Sequence, residues 1–322
     1  MSMSTKTRPV VDCPREIQTC LMASDVLDSI GNTPLIRLRA ASDETGCNIY
    51  AKAEFLNPGG SVKDRIARHI VLEAERRGDL RPDSTIMEVT SGNTGISLSM
   101  VGAMRGYKVV IVMPRTVSKE RRSMIQSFGA KLELLDEIND IQGAVKQTEE
   151  LAATRNDIFL PRQFANLDNV EAHRTTTGPE ILRQLDNQLD AFVMGVGTGG
   201  TIMGVGRALR EAGNGARIVA VEPDESAVMS GDARGRHGIQ GLADGFIPDL
   251  INLDEIDQVA RVRSKDAIDA RHDLSHGEGL LVGISSGANV LASIQIANEL
   301  GPGHTVVTVL PDRGERYLSM TI

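Results

Sequence analysis

The feature that most restricts the fold is an alternation of two hydrophobic periods along the chain. NIYAKAEF (48–55) and TIMEVT (85–90) have the character of strands, and between them VKDRIARHIVLEAERRG (62–78) brings Val62, Ile66, Ile70 and Ala74 to one face at helical spacing. A strand, a helix and a second strand in that order make a βαβ unit. The pattern repeats through KVVIVMP (108–114), a helix over 118–128, KLELLD (131–136), a helix over 140–155, AFVMGV (191–196), a helix over 201–211, RIVAVEP (217–223), a helix over 287–299 and TVVTVL (305–310). Strands that are almost continuously apolar have no solvent face, so they belong to parallel sheet covered by helices on both sides. A chain of 322 residues has material for more than one core, and the expectation is an α/β fold in two lobes. No low-complexity linker divides them, and the boundary is placed near RQFAN (162–166).

Composition removes several classes of function. The formal charge of -8 at pH 7 includes no basic block, and with three Tyr, six Phe and no Trp there is little to stack on bases, so no nucleic-acid partner is expected. Cys13, Cys20 and Cys47 are odd in number and form no CxxC pair, which fits a reducing compartment better than a disulfide framework or a zinc site. No apolar stretch approaches the roughly 20 residues that span a bilayer, and MSMSTKTRPVVDCPREIQTCLM lacks the core of a signal peptide. A cytoplasmic protein with no membrane role and a small-molecule substrate is expected. No metal is expected either: His272 and His276 are four apart on a helix, without the glutamate of an HExxH arrangement, and fit solvated residues. Asp136, Glu137, Asp140, Glu149 and Glu150 fit a solvated acidic face.

Four glycine-containing turns lie between strands and helices, where open α/β sheets place their ligands. In NPGGSVKDR (57–65) the plain reading is a helix start with Ser61 as N-cap and Asp64 as a weak capping box. That leaves Lys63 unexplained, because an ammonium in the first turn is opposed by the helix dipole. Dipole and desolvation both lower an amine's pKa, so Lys63 is a candidate Schiff-base lysine. TSGNTG (90–95) offers hydroxyls, an amide and free N–H groups to a small anion such as a carboxylate, or is an ordinary polar turn. GVGTGGT (195–201) is open to two functional readings. Gly195, Gly197 and Gly200 satisfy GxGxxG with Glu222 ending the next strand, a dinucleotide fingerprint, yet Gly197, Thr198, Gly199, Gly200 and Thr201 equally form a phosphate cup. GISSGAN (283–289) presents Ser285 and Ser286, either as an N-cap or as a hydroxyl partner for a ligand. One ligand that needs a lysine, a phosphate cup, a carboxylate turn and a hydroxyl is pyridoxal 5'-phosphate with a bound amino acid.

With SIGNTPLIRL (29–38), MPRTVSKERR (113–122), TTGPEI (176–181), IQG (239–241) and GERYLS (314–319) added to these turns, the sequence resembles the cysteine synthase (O-acetylserine sulfhydrylase) family. The members are fold-type II pyridoxal-phosphate enzymes, with a two-lobed open parallel-sheet architecture like that of tryptophan synthase β. The resemblance implies an N-terminal arm (1–34) and a smaller, mobile domain (57–165) that carries the lysine and the carboxylate turn. A larger domain (35–56 and 166–322) would carry the phosphate cup. It implies that Lys63 links covalently to the cofactor, that Asn93 bonds the ring 3'-oxygen, and that Ser285, in preference to Ser286, faces the pyridine nitrogen. Thr90, Ser91, Gly92, Thr94 and Gln163 would hold the substrate carboxylate, with Gly241 nearby, and Gly197, Thr198, Gly199, Gly200 and Thr201 the phosphate. The implied reaction is β-replacement on O-acetyl-L-serine by sulfide, giving L-cysteine and acetate through an α-aminoacrylate. A homodimer is implied, and serine acetyltransferase is a candidate partner by the same resemblance.

The chain departs from the family where a turn close to GIGAG is expected. Here GLADG (241–245) puts Ala243 and Asp244 in the middle. A carboxylate near the substrate entrance argues for O-acetylserine over a phosphorylated donor, which it would repel. Alternatives are a cystathionine β-synthase-like or other β-replacement with a different donor or nucleophile, a nicotinamide-dependent dehydrogenase built on 195–222, and a catalytically silent homologue.

Overall fold

The computed structural model describes residues 23–135 and 141–319. Most of the expected N-terminal arm, with Cys13 and Cys20, and Asp136, Glu137 and Asp140 of the expected acidic face lie outside the described residues.

The strands are β1 (Leu35–Arg37), β2 (Asn48–Lys52), β3 (Thr85–Val89), β4 (Lys108–Pro114), β5 (Lys131–Leu135), β6 (Ile158–Phe159), β7 (Ala191–Gly195), β8 (Arg217–Pro223), β9 (Gln258–Val262) and β10 (Thr305–Val309). They form a six-stranded sheet in the order β1-β2-β10-β7-β8-β9 and a four-stranded sheet in the order β5-β4-β3-β6. Among the described strands, only the edge strand β1, which the periodicity did not reveal, is antiparallel to its neighbour. The helices are α1 (Arg39–Thr45), α2 (Lys63–Arg77), α3 (Asn93–Arg105), α4 (Lys119–Ser127), α5 (Ile141–Thr154), α6 (Asp168–Ala172), α7 (Gly178–Gln184), α8 (Gly200–Glu211), α9 (Ser264–Glu278) and α10 (Ile284–Leu300).

The continuous apolar runs are explained by the two faces of the larger sheet. Successive residues of β7 enter opposite cores, Ala191 and Val193 on one side and Phe192 and Met194 on the other, and β8 divides Val219 and Val221 from Ile218 and Ala220 in the same way. A separate core joins β3 and β4 to α2, α3 and α4.

Both sheets change direction at the strand that precedes a candidate turn. In the larger sheet the chain runs β7-β8-β9 one way while β10 pairs on the other side of β7; in the smaller it runs β3-β4-β5 one way while β6 pairs on the other side of β3. The loops that leave β7 and β3 therefore open into the crevices at the two topological switch points. These loops hold GVGTGGT and TSGNTG.

Three local expectations need correction. NIYAKAEF leaves the sheet at Lys52, and Glu54–Leu56 turns as a 3-10 helix that carries Glu54 into a buried ionic cluster. There Arg65 donates from Nε and Nη2 to the Glu54 carboxylate, both at 2.8 Å, and from Nη1 and Nη2 to Glu180, both at 2.7 Å, while Lys52 Nζ lies 2.7 Å from Glu180. Second, α2 has Val62 at its N-cap and no side-chain cap, so neither Ser61 nor Asp64 works as proposed. Asp64 instead accepts from the Gly59 amide (2.7 Å) and from Ser97 Oγ (2.5 Å), clamping the NPGG loop onto α3. Third, α10 begins at Ile284, so Ser285 and Ser286 lie within its first turn behind an extended Gly283.

Candidate active site

Loops from both sheets enclose one cavity of about 360 Å³. Lys63 lines it from the first turn of α2, and Thr90, Ser91, Asn93 and Thr94 from the loop after β3. Gln163 reaches it from the crossover to the larger sheet, and Gly197, Thr198, Gly199 and Thr201 from the loop after β7. Gly241 and Ser285 complete the set, whereas Ser286 does not line the cavity and its Oγ is buried without a partner. Gly92 and Gly200 stand behind the lining, where a Cβ would collide with Arg121 and Asn169 respectively. His272 and His276 stack with centroids 6.2 Å apart on α9, away from this lining.

The geometry answers why a lysine begins α2. Burial pushes the Lys63 amine down to about 8, against the pull of Asp244 and Asp312, so a useful fraction is neutral near physiological pH. An amine in that state can attack a carbonyl or carry a proton.

The loop after β7 is shaped by close approach. A Cβ on Gly197 would lie 2.5 Å from the Gly241 carbonyl, and Gly199 has φ +86, a conformation that β-carbon sterics disfavour. The backbone thereby presents its N–H groups at the N-terminus of α8, where the dipole favours an anion. Thr198 Oγ1 accepts from Asn169 (3.0 Å), and Thr201 Oγ1 lies 3.2 Å from His173 Nε2. Burial pushes His173 down to about 3, so the imidazole behind the cup is neutral. Glu222 is spoken for: its carboxylate accepts from the amides of Met229 (2.8 Å) and Ser230 (3.0 Å) and from Ser230 Oγ (2.6 Å). It is 0% exposed, so no ribose hydroxyl can use it, and the dinucleotide reading loses its acidic residue.

Thr94 Oγ1 donates to Gln163 Oε1 at 2.5 Å, and Gln163 Nε2 donates to the Val89 carbonyl at 3.2 Å, so the two sides of the carboxylate turn are tied together. Burial raises Glu88 to about 7 beneath them, where it accepts from the Gln163 amide (3.2 Å). Asn93 Nδ2 donates to Asp312 Oδ2 (2.7 Å), while Asn93 Oδ1 and Asp312 Oδ1 are buried without partners.

Several residues at the cavity or just behind its lining escaped the sequence reading. Arg121, within the quoted SKERR, donates to Gln240 (2.7 Å), lies 4.0 Å from Asp312 and stacks 4.6 Å over the Tyr317 ring. Asp312 and His173 were missed outright. Only spatial convergence identifies them, since a lone Arg, Asp or His in sequence has no distinguishing neighbour.

The family model described as "Pyridoxal-phosphate dependent enzyme" matches residues 26–312. The chain belongs to that family. Among curated members of this pyridoxal-phosphate-dependent family, a cysteine synthase from Staphylococcus aureus is 47% identical over 296 residues, covering 92% of this chain and 95% of its own. Two solved structures are similar throughout. Cysteine synthase from Entamoeba histolytica gives a TM-score of 0.90 at 38% identity, covering 98% of this chain and 93% of its own. O-ureido-L-serine synthase gives 0.89 at 43% identity, covering 93% and 95%. The α/β fold with parallel sheets is therefore the fold-type II architecture of these pyridoxal-phosphate enzymes.

The cavity suits the cofactor of this family on two separate counts: a lysine with a depressed pKa and a glycine cup at a helix N-terminus. No described helix is long and apolar enough to cross a membrane.

Proposed function

We propose that this protein makes L-cysteine and acetate from O-acetyl-L-serine and sulfide by pyridoxal-phosphate-dependent β-replacement. The observation that carries the reading is the convergence of Lys63, the 90–94 turn and the 197–201 cup on one cavity. The relatives named cysteine synthase support the donor and the nucleophile.

Lys63 would hold the cofactor covalently, Asn93 its ring oxygen, Ser285 its ring nitrogen, and Gly197, Thr198, Gly199, Gly200 and Thr201 its phosphate. When bound, the cofactor supplies an electron sink that stabilises negative charge at the substrate Cα. The chain's residues then divide the remaining work. Thr90, Ser91, Gly92, Thr94 and Gln163 fix the substrate carboxylate, with Gly241 opposite, and so aim the Cα proton at Lys63. Lys63 Nζ would accept that proton as general base and later return it. Ser285, an uncharged hydroxyl, would hold the ring nitrogen without placing a charge beside it. Carboxylate binding would draw the small-sheet unit, residues 57–165, over the larger unit of 35–56 and 166–322, excluding water.

We further propose a cytoplasmic homodimer, with the 1–34 arm across the interface and serine acetyltransferase as a candidate partner. Light scattering at about twice the 34.6 kDa chain mass tests the dimer.

The deciding experiment is a product assay with O-acetylserine and sulfide, joined to borohydride reduction and peptide mapping. Cysteine formation with label on Lys63 is expected. Label on another lysine, or an absence of cysteine from a yellow holoenzyme, overturns the reading.

A further inference from the structure

β3 is apolar at Ile86, Met87 and Val89, yet among them it buries Glu88 beneath the 90–94 turn. A buried carboxylate is costly unless donors meet it. Here the backbone supplies them: Oε1 accepts from the Val89 amide (3.0 Å) and Oε2 from the Gln163 amide (3.2 Å). The ladder between β3 and β6 ends at the pair Ile86 and Phe159, so the Glu88 side chain holds the crossover where the sheet no longer does.

The crossover it holds is kinked. Arg162 has φ +53, a left-handed conformation uncommon for residues other than glycine, and its carbonyl accepts from the amides of Ala165 (3.0 Å) and Asn166 (2.9 Å) while the next amide, that of Gln163, points back to Glu88. The kink sets Gln163 at the cavity. Its Oε1 accepts from Thr94, which fixes the orientation of the side-chain amide, and its Nε2 gives one N–H to the Val89 carbonyl and keeps the other for a ligand. The Gln163 carbonyl accepts from Asn169 Nδ2 (2.8 Å), which also donates to Thr198 in the phosphate cup. A hydrogen-bond chain thus runs from Glu88 through Gln163 to the cup.

Among the described residues, the charge acting on Glu88 is the Arg162 guanidinium, whose Nε lies 3.4 Å from Glu149 of α5. β4 sets apolar Ile111 opposite Glu88 in register, and the first turn of α3 is uncharged. Burial raises the carboxyl to about 7 against the amides and Arg162, so its charge changes within the working range of pH. Protonation would set an O–H donor against an N–H donor and release one of the two amides.

We infer that Glu88 is a positioning residue for the amino-acid substrate: its ionised carboxylate holds the kink at Arg162 and so aims Gln163 at the substrate carboxylate, and its protonation lets Gln163 go. This rests on the reading that Gln163 holds the donor's carboxylate in a replacement reaction.

The test measures kcat/KM for O-acetylserine with holoenzyme of wild type, Glu88→Gln, Gln163→Ala and the double variant. At alkaline pH, Glu88→Gln should lose roughly tenfold, the worth of one hydrogen bond to a charged group, and in the Gln163→Ala background less than about twofold. Lys63 and the substrate amine titrate alike in all four proteins, so ratios between them report Glu88. The wild-type advantage over Glu88→Gln should disappear as pH falls through about 7. In parallel, hydrogen exchange of the apoprotein over residues 160–166, read by mass spectrometry, should be faster in Glu88→Gln than in wild type. Should that variant fail to fold, the ratio of wild type to Gln163→Ala carries the same pH test, because it too must fall in that window. An equal loss in both backgrounds, a ratio flat with pH or unchanged exchange overturns the inference alone. Absence of cysteine from loaded wild type sinks the replacement reading and this inference with it.

Discussion

Lys63→Met should stabilise the apoprotein, and the gain should disappear at high pH. The amine falls from its ordinary value near 10.5 to about 8, chiefly because burial disfavours its charged form. Each pH unit of displacement is worth about 1.4 kcal/mol, so holding an ammonium there costs the folded state about 3 kcal/mol. The sign follows from proton counting. Between pH 8 and 10.5 the unfolded chain binds more protons at this site than the folded one, so wild-type stability rises with pH across that window. Below it the lysine is charged in both states and the full penalty stands; above it both states are neutral and the penalty is gone. Methionine fills a similar volume with no charge. Urea denaturation of both apoproteins, at intervals from pH 7 to 10.5, should give a difference of about 2–3 kcal/mol in favour of the variant at pH 7 that shrinks steadily upward. A difference that does not change with pH, or a variant less stable at pH 7, refutes the claim that the helix start stores a strained amine.

Gly197→Ala should lose cofactor affinity by tenfold or more, since its Cβ would meet the Gly241 carbonyl at 2.5 Å and force the cup from the 241–245 turn; titration of apoprotein with pyridoxal phosphate, followed by absorbance, measures it. Arg65→Met removes the shared partner of Glu54 and Glu180 and should cost about 3–5 kcal/mol in chemical denaturation, with a loss below about 1 kcal/mol contradicting the role given to the cluster. Ser91→Ala should slow acetate release by ten- to a hundredfold, the worth of one charge-assisted hydrogen bond of roughly 1.5–3 kcal/mol. Stopped-flow mixing with O-acetylserine reads that rate, and an unaltered rate removes Ser91 from the carboxylate turn.

The architecture was legible because it rests on local chemistry repeated many times. Parallel strands buried on both faces must be apolar throughout, and amphipathic helices must show a single stripe, so both kinds of element announce themselves within ten or fifteen residues. The glycine turns were legible for a related reason: a left-handed φ at Gly199, or a close approach like that of Gly197 to Gly241, leaves few other residue types possible. Lys63 stood out because its charge contradicted its position. What sequence could not order was everything set by convergence across distance. Ser61 and Asp64 read as a cap because capping is judged over four residues, yet Asp64 is claimed by Ser97, thirty-three positions away. Glu222 read as a ribose ligand until folding brought the Met229 and Ser230 amides onto it. Arg121, Asp312 and His173 carry no local signature, since what distinguishes each is a partner supplied by another element. Backbone preference and hydrophobic period act between near neighbours and survive in one dimension. Desolvation and the pairing of charges depend on what else is within a few ångströms, and only the folded chain decides that.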